Sequence, residues 1–140
     1  MRLVVDASVA LKWFLKGRPG ETHIDKAEAV AAAIARSPTE LFAPAHWGAE
    51  IISVVARMEP GLVNDALVEL DDMRPVISAG VPVLRRAADL SIALNHHLFD
   101  TLYHAVALEE GATLVTADEA YFNKARDRGA IQVLRDFRGA

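Results

Sequence analysis

Leu3-Val4-Val5-Asp6 sets the reading of this chain: a short apolar run that stops on an acid. A near-continuous apolar run of this length, followed directly by helical composition at Ala7 to Lys16, reads as a buried strand over residues 2–6 that feeds a helix. The pattern returns near the other end, where Leu114-Val115-Thr116 leads through Ala117 to Asp118. Two buried strands that each deliver an aspartate at the carboxyl end point to an open α/β sheet. Such sheets gather their ligands beyond the carboxyl ends of the strands.

The stretches between these runs support the same class. An Ala-rich helix is expected over 24–36, ending before Ser37-Pro38, after the breaker cluster Gly17-Arg18-Pro19-Gly20. Leu41-Phe42-Ala43 reads as a second strand, and Pro44 suits the first turn of the helix that follows to about Met58. In that helix Trp47, Ile51, Val54, Val55 and Met58 form an apolar stripe with Glu50 at its edge. Further helices are expected over 62–73, from Pro82 to about Leu98, over 99–110 with Gly111 closing it, and over 119–128 with Gly129 closing it. Val76-Ile77-Ser78, Thr113–Thr116 and Ile131–Leu134 complete the strands. Strands alternating with helices predict an α/β sandwich around a parallel sheet.

With 140 residues, the chain suits one domain spanning 1–140. At 52% hydrophobic residues it can build a core. The absence of cysteine excludes disulfides and zinc–thiolate sites and favours a cytoplasmic protein. No run approaches a membrane span, and the opening Met1-Arg2-Leu3-Val4-Val5-Asp6 breaks too early for a secretory signal. A net charge of −4 counts against a broad basic face for nucleic acid. It leaves room for a nuclease whose acids hold cations, since a bound ion inverts the local sign.

Asp6, Glu50, Asp100 and Asp118 are the candidate site. The two aspartates at strand ends would meet if their strands are neighbours, and Glu50 and Asp100 interrupt apolar helices. Carboxylates crowded together repel, and burial adds to the cost of their charge. A bound cation offsets both, and hard oxygen donors suit Mg²⁺ or Mn²⁺. Each aspartate also begins a helical segment, so capping competes with metal binding as an explanation, and one carboxylate can do both. Ser8 and Thr116 stand two residues from Asp6 and Asp118, where their hydroxyls could bond a carboxylate or serve as ordinary helix and strand residues. His97, Asp100 and His104 raise a zinc alternative without a complete ligand set. His96 and His97 are expected at a helix C-terminus. Trp13 and Phe14 suit core packing better than base stacking.

The quoted segments resemble a known family. Val4-Val5-Asp6-Ala7-Ser8-Val9-Ala10-Leu11-Lys12-Trp13-Phe14-Leu15 resembles the opening of bacterial PIN-domain ribonucleases of the VapC toxin type. Ala43-Pro44-Ala45-His46-Trp47 through Glu50, Phe99-Asp100-Thr101-Leu102-Tyr103-His104-Ala105-Val106-Ala107, and Leu114-Val115-Thr116-Ala117-Asp118 through Phe122 resemble the segments that supply that family's second, third and fourth acids. Two departures are Ala7, where serine is frequent, and Thr101, where alanine is frequent. The resemblance implies a PIN-like three-layer α/β/α sandwich with a five-stranded parallel sheet ordered 3-2-1-4-5. It implies Mg²⁺- or Mn²⁺-dependent RNA cleavage with Asp6, Glu50, Asp100 and Asp118 as the metal-binding acids. It also implies a small antitoxin partner and homodimerisation. The competing expectation is a PIN-like module that binds RNA or protein without cutting. A haloacid-dehalogenase-like phosphatase would need a second aspartate where Ser8 stands.

Overall fold

The computed structural model describes residues 1–36 and 38–139. In chain order the elements are β1 (Arg2–Val5), α1 (Ala7–Leu15), α2 (Ile24–Ala35), β2 (Glu40–Ala43), α3 (Trp47–Met58), α4 (Val63–Asp72), β3 (Val76–Ile77), α5 (Val81–Leu94), α6 (Leu98–Glu110), β4 (Thr113–Thr116), α7 (Glu119–Ala125) and β5 (Ile131–Val133). Short 3₁₀ turns precede α4 and follow α7 and β5.

All strand pairings are parallel and the order is β3-β2-β1-β4-β5. Because β1 lies in the middle, Val4 pairs with Phe42 on one side and Leu114 on the other. All three side chains are buried, as parallel strands covered on both faces require. The chain turns back between β1 and β4, so this is the switch point at which such folds bind ligands. The ladder continues one residue past β1, with the Asp6 amide donating to the Val115 carbonyl at 3.0 Å. Asp6 is thereby fixed beside the end of β4.

The helices form two packs. Helix α1 lies on α2 and α3, and α3 on α4, while α5 lies on α6, which crosses β1, β2 and β4. Helix α6 is apolar almost all round, and residues 101–107 are all buried. Two of them are polar and satisfied: Thr101 Oγ1 donates to the Ala87 carbonyl at 2.8 Å, and the His104 ring bonds on both nitrogens. Trp13 is a core residue, with Nε1 donating to the Ala27 carbonyl at 2.7 Å.

Several element ends differ from expectation. The helix expected over 82–98 stops at Leu94, where Asn95 takes a left-handed conformation (φ 49) and the His96 amide reaches back to the Ser91 carbonyl at 3.1 Å. This is the Schellman type of helix end, and asparagine is a residue that tolerates it. His96 and His97 therefore lie past the helix rather than in its last turn, and His97 holds the N-cap position of α6. Pro44 precedes a turn closed by the Trp47 amide on the Pro44 carbonyl, so α3 starts later than the proline suggests. The helix after Asp118 becomes 3₁₀ over Arg126–Arg128 before Gly129 (φ 76). The helix expected over 24–36 ends at Ala35, with Arg36 already extended at its C-cap.

The Asn95 conformation yields a test with two opposite outcomes. Asn95→Gly should match or exceed Asn95→Ala by about 1 kcal/mol in urea denaturation, because glycine alone accepts positive φ freely. A helix running through to Leu98 would reverse that order by about the same amount.

Candidate active site

The site begins with Asp6. Its backbone opens α1, with the carbonyl accepting from the Val9 and Ala10 amides, but its side chain does not cap the helix. Instead Oδ2 accepts two hydroxyls, Ser8 Oγ at 2.7 Å and Thr116 Oγ1 at 2.8 Å. Each hydroxyl is itself aimed by a backbone donor: the Ala117 amide donates to Ser8 Oγ at 3.1 Å, and the Asp118 amide to Thr116 Oγ1 at 3.0 Å. One carboxylate oxygen is thus fixed from the first turn of α1 and from the end of β4. Oδ1 has no protein donor among the described residues.

The other three acids arrive from separate elements. Glu50, in the first turn of α3, accepts Tyr103 Oη at 2.7 Å on Oε1. Tyr103 is buried on α6, and its phenol is held far above its ordinary pKa by burial first and then by the Glu50 bond. Asp100 sits in the first turn of α6, not at the N-cap, with Oδ2 at 3.0 Å from His96 Nε2. Asp118 is a true N-cap, and its Oδ1 accepts the Tyr121 amide at 3.0 Å. Of the three aspartates read as possible caps, only Asp118 uses its side chain that way, and capping leaves its second oxygen out of the contact.

Charge places the acids together. Burial pushes the Asp6 carboxyl up from 3.8 to about 6; the two hydroxyl bonds oppose the rise, and the charges of Asp100 and Glu50 add to it. Asp100, Asp6 and Asp118 likewise reinforce the effect of burial in raising the Tyr121 phenol. Asp100 and Asp118 also share a cluster with His96 in which one ligand atom from each lies within 4.8 Å of the others. Among the described residues that is the one group of three or more possible ligands drawn so close; Asp6 and Glu50 stand outside it, near enough for the charges of Asp100 and Glu50 to act on Asp6. A half-buried, mutually repelling oxygen set of this kind fits a hard divalent cation.

The zinc alternative is not assembled. The His104 ring is committed to Tyr121 Oη at 3.0 Å and the Gly129 carbonyl at 2.8 Å, and burial lowers its pKa. His97 is exposed. Three contributors escape sequence reasoning: His96, Tyr103 and Tyr121. Tyr103 and Tyr121 stand three residues after an acid, a spacing that signals proximity on a helix. His96 stands four before Asp100, but a helix boundary intervenes and only the fold brings the two together.

Six of the fifteen lysines and arginines pair with acids among the described residues. Lys12 Nζ reaches Glu21 Oε2 at 3.2 Å, Lys16 meets Glu28, Arg18 meets Glu59 and Arg135 meets Glu119. Lys124 is the cation that approaches the acid cluster, through His96 Nδ1 at 3.2 Å.

The Asp6 shift sets a pH dependence for metal-free protein. The folded state binds this proton more tightly than the unfolded state, so the associated stability is present below pH 3.8 and is lost as pH rises through about 6. The loss should be on the order of 3 kcal/mol, read from urea midpoints in chelator, and Asp6→Asn should flatten that part of the profile.

Comparison with known proteins bears on the fold and the family. A family profile described as "PIN domain" matches residues 3–127. Ribonuclease VapC3 of Mycobacterium tuberculosis is 34% identical over 123 residues, covering 84% of this chain and 83% of that protein, in both strain CDC 1551 / Oshkosh and strain ATCC 25618 / H37Rv. Among solved structures, VapBC-1 from nontypeable Haemophilus influenzae superposes with a TM-score of 0.65 at 16% identity, covering 97% of this chain and 100% of that one. VapBC2 from Rickettsia felis, bound to a DNA fragment from its promoter, gives 0.65 at 16% identity, covering 95% and 98%. These two structures share the fold, and the profile and the sequence relatives supply the family: this chain belongs to the PIN-domain family, in its VapC-type branch.

Proposed function

We propose that this chain is a divalent-metal-dependent endoribonuclease acting as the toxin of a toxin–antitoxin pair. The observation that carries the reading is the partly buried Asp6 carboxylate, held by two oriented hydroxyls and charged against Asp100 and Glu50, at the carboxyl ends of β1 and β4. A structural role would not need a charge kept at that cost. The relative of known name at 34% identity is a ribonuclease, and the two structural neighbours are VapBC assemblies, which supports an antitoxin partner here. Homodimerisation and a cytoplasmic setting complete the proposal; no helix among the described residues is long and apolar enough to cross a membrane.

Asp6 and Asp100 are assigned as direct ligands of Mg²⁺ or Mn²⁺, with Glu50 and Asp118 completing the set directly or through water. Such an ion polarises a phosphoryl oxygen and lowers the pKa of a bound water. The chain's own residues do the rest. Ser8 and Thr116 hold Asp6 Oδ2, so the other oxygen keeps one orientation. Tyr103 donates to Glu50 and so fixes the acid that comes from a different helix. Burial of α6 keeps Asp100 at a constant depth beside β1 and β4. No side chain here stands as a nucleophile, which leaves water as the attacking group in phosphodiester hydrolysis.

Asp6→Asn and Asp100→Asn should each lower Mn²⁺-dependent RNA cleavage by about a hundredfold or more while far-UV circular dichroism stays native. Undiminished cleavage in both would defeat the assignment of these two acids, and a parent that cuts no RNA with either ion would leave a non-cutting PIN scaffold. Millimolar Mn²⁺ should raise the melting temperature of the parent by several degrees through binding to the native state alone, and Asp6→Asn should lose most of that gain. A gain unchanged by the substitution would place the ion elsewhere.

A further inference from the structure

We propose that His96 is a positioning residue for the ion-binding carboxylate of Asp100, with Lys124 fixing its tautomer. The inference rests on the reading that these acids hold a divalent ion. Asp100 is poorly placed to hold one orientation unaided: its side chain is 43% exposed in the first turn of α6. His96 Nε2 lies 3.0 Å from Asp100 Oδ2, and the imidazole itself is only 15% exposed.

The hydrogen bonds assign the ring nitrogens. The Lys124 ammonium is a donor only, and it stands 3.2 Å from His96 Nδ1. Nδ1 therefore accepts, Nε2 carries the hydrogen, and the bond to Asp100 is a donation from His96. The ring plane is set by packing as well. The Tyr121 ring meets it edge-on with centroids 4.8 Å apart, and Tyr121 is itself anchored by its hydroxyl on His104 Nδ1 and by its amide on Asp118. The helix end at Asn95 completes the arrangement, because the reversal there carries His96 out of α5 and over the start of α6. One oxygen of Asp100 is thus committed to His96, as Oδ2 of Asp6 is to Ser8 and Thr116. In both acids the remaining oxygen is oriented before any ion arrives, and the committed one has part of its charge offset in a crowded cluster.

The alternative for His96 is direct coordination, since its ring belongs to the cluster with Asp100 and Asp118. That would need the hydrogen moved to Nδ1, where Lys124 now donates. The Lys124 contact favours positioning.

Mn²⁺ and Mg²⁺ titrations of the full chain by calorimetry, without RNA, separate these roles. His96→Phe keeps a ring against Tyr121 but removes the donor, and His96→Gln keeps a donor near the place of Nε2. His96→Phe should weaken both ions by a similar factor of about 10 to 100, and His96→Gln should recover most of the affinity. In an Asp100→Asn background, His96→Phe should weaken binding no further. Parental affinity in His96→Phe would overturn the inference alone. So would a loss confined to Mn²⁺ that glutamine does not restore, the signature of a nitrogen ligand. A parent that binds neither ion would overturn both this inference and the function on which it rests.

Discussion

The structure turns on one backbone hydrogen bond beyond the formal end of a strand, the Asp6 amide on the Val115 carbonyl. It extends the central parallel ladder by one residue and so brings Asp6 level with Thr116 and Asp118. From that register the rest of the site follows. Thr116 reaches across to Asp6 while accepting the Asp118 amide, and Ser8 does the same from the first turn of α1 while accepting the Ala117 amide. A slip of one residue would turn Thr116 to the opposite face of the sheet and dismantle the cradle.

The same register concentrates negative charge that the fold does not neutralise. Six of the protein's lysines and arginines pair with acids elsewhere, in partly exposed pairs such as Arg18–Glu59 and Arg86–Glu109, which contribute little to stability. Within the cluster the acids are met by neutral donors instead: the Ser8 and Thr116 hydroxyls, the Tyr103 phenol, the Tyr121 backbone amide and the His96 imidazole. Neutral donors orient a carboxylate without cancelling its charge. That is the arrangement expected of a site kept open for a cation, whereas a buried salt bridge would have closed it.

Helix α6 is the second determinant. Seven consecutive buried residues hold it between α5 and the sheet, and its ridge carries Asp100, Tyr103 and His104 to three different parts of the site. Asp100 meets Asp118 and His96, Tyr103 orients Glu50 and His104 anchors Tyr121. One rigid element thus couples four others, and it can do so because its apolar sides leave it no freedom to rotate.

Much of this was legible in the amino-acid order. Apolar runs ending in Asp6 and Asp118, with helices between them, settle an α/β class, and strand-end acids settle where its chemistry sits, because parallel strands buried on both faces must be apolar and their carboxyl ends must face the same way. Glu50 and Asp100 stand out for a local reason too: each is an acid on an otherwise apolar helix face. What linear order could not supply was contact across helix boundaries and between elements. The left-handed turn at Asn95, the donation from His96 to Asp100, the Tyr103 hydroxyl on Glu50 and the division of hydroxyl bonds on a single oxygen of Asp6 all join residues whose meeting depends on packing. Periodicity identifies which residues a strand or helix presents to the interior. Which partner each finds there is decided only when the layers close, since close packing selects one arrangement from many that share the same pattern.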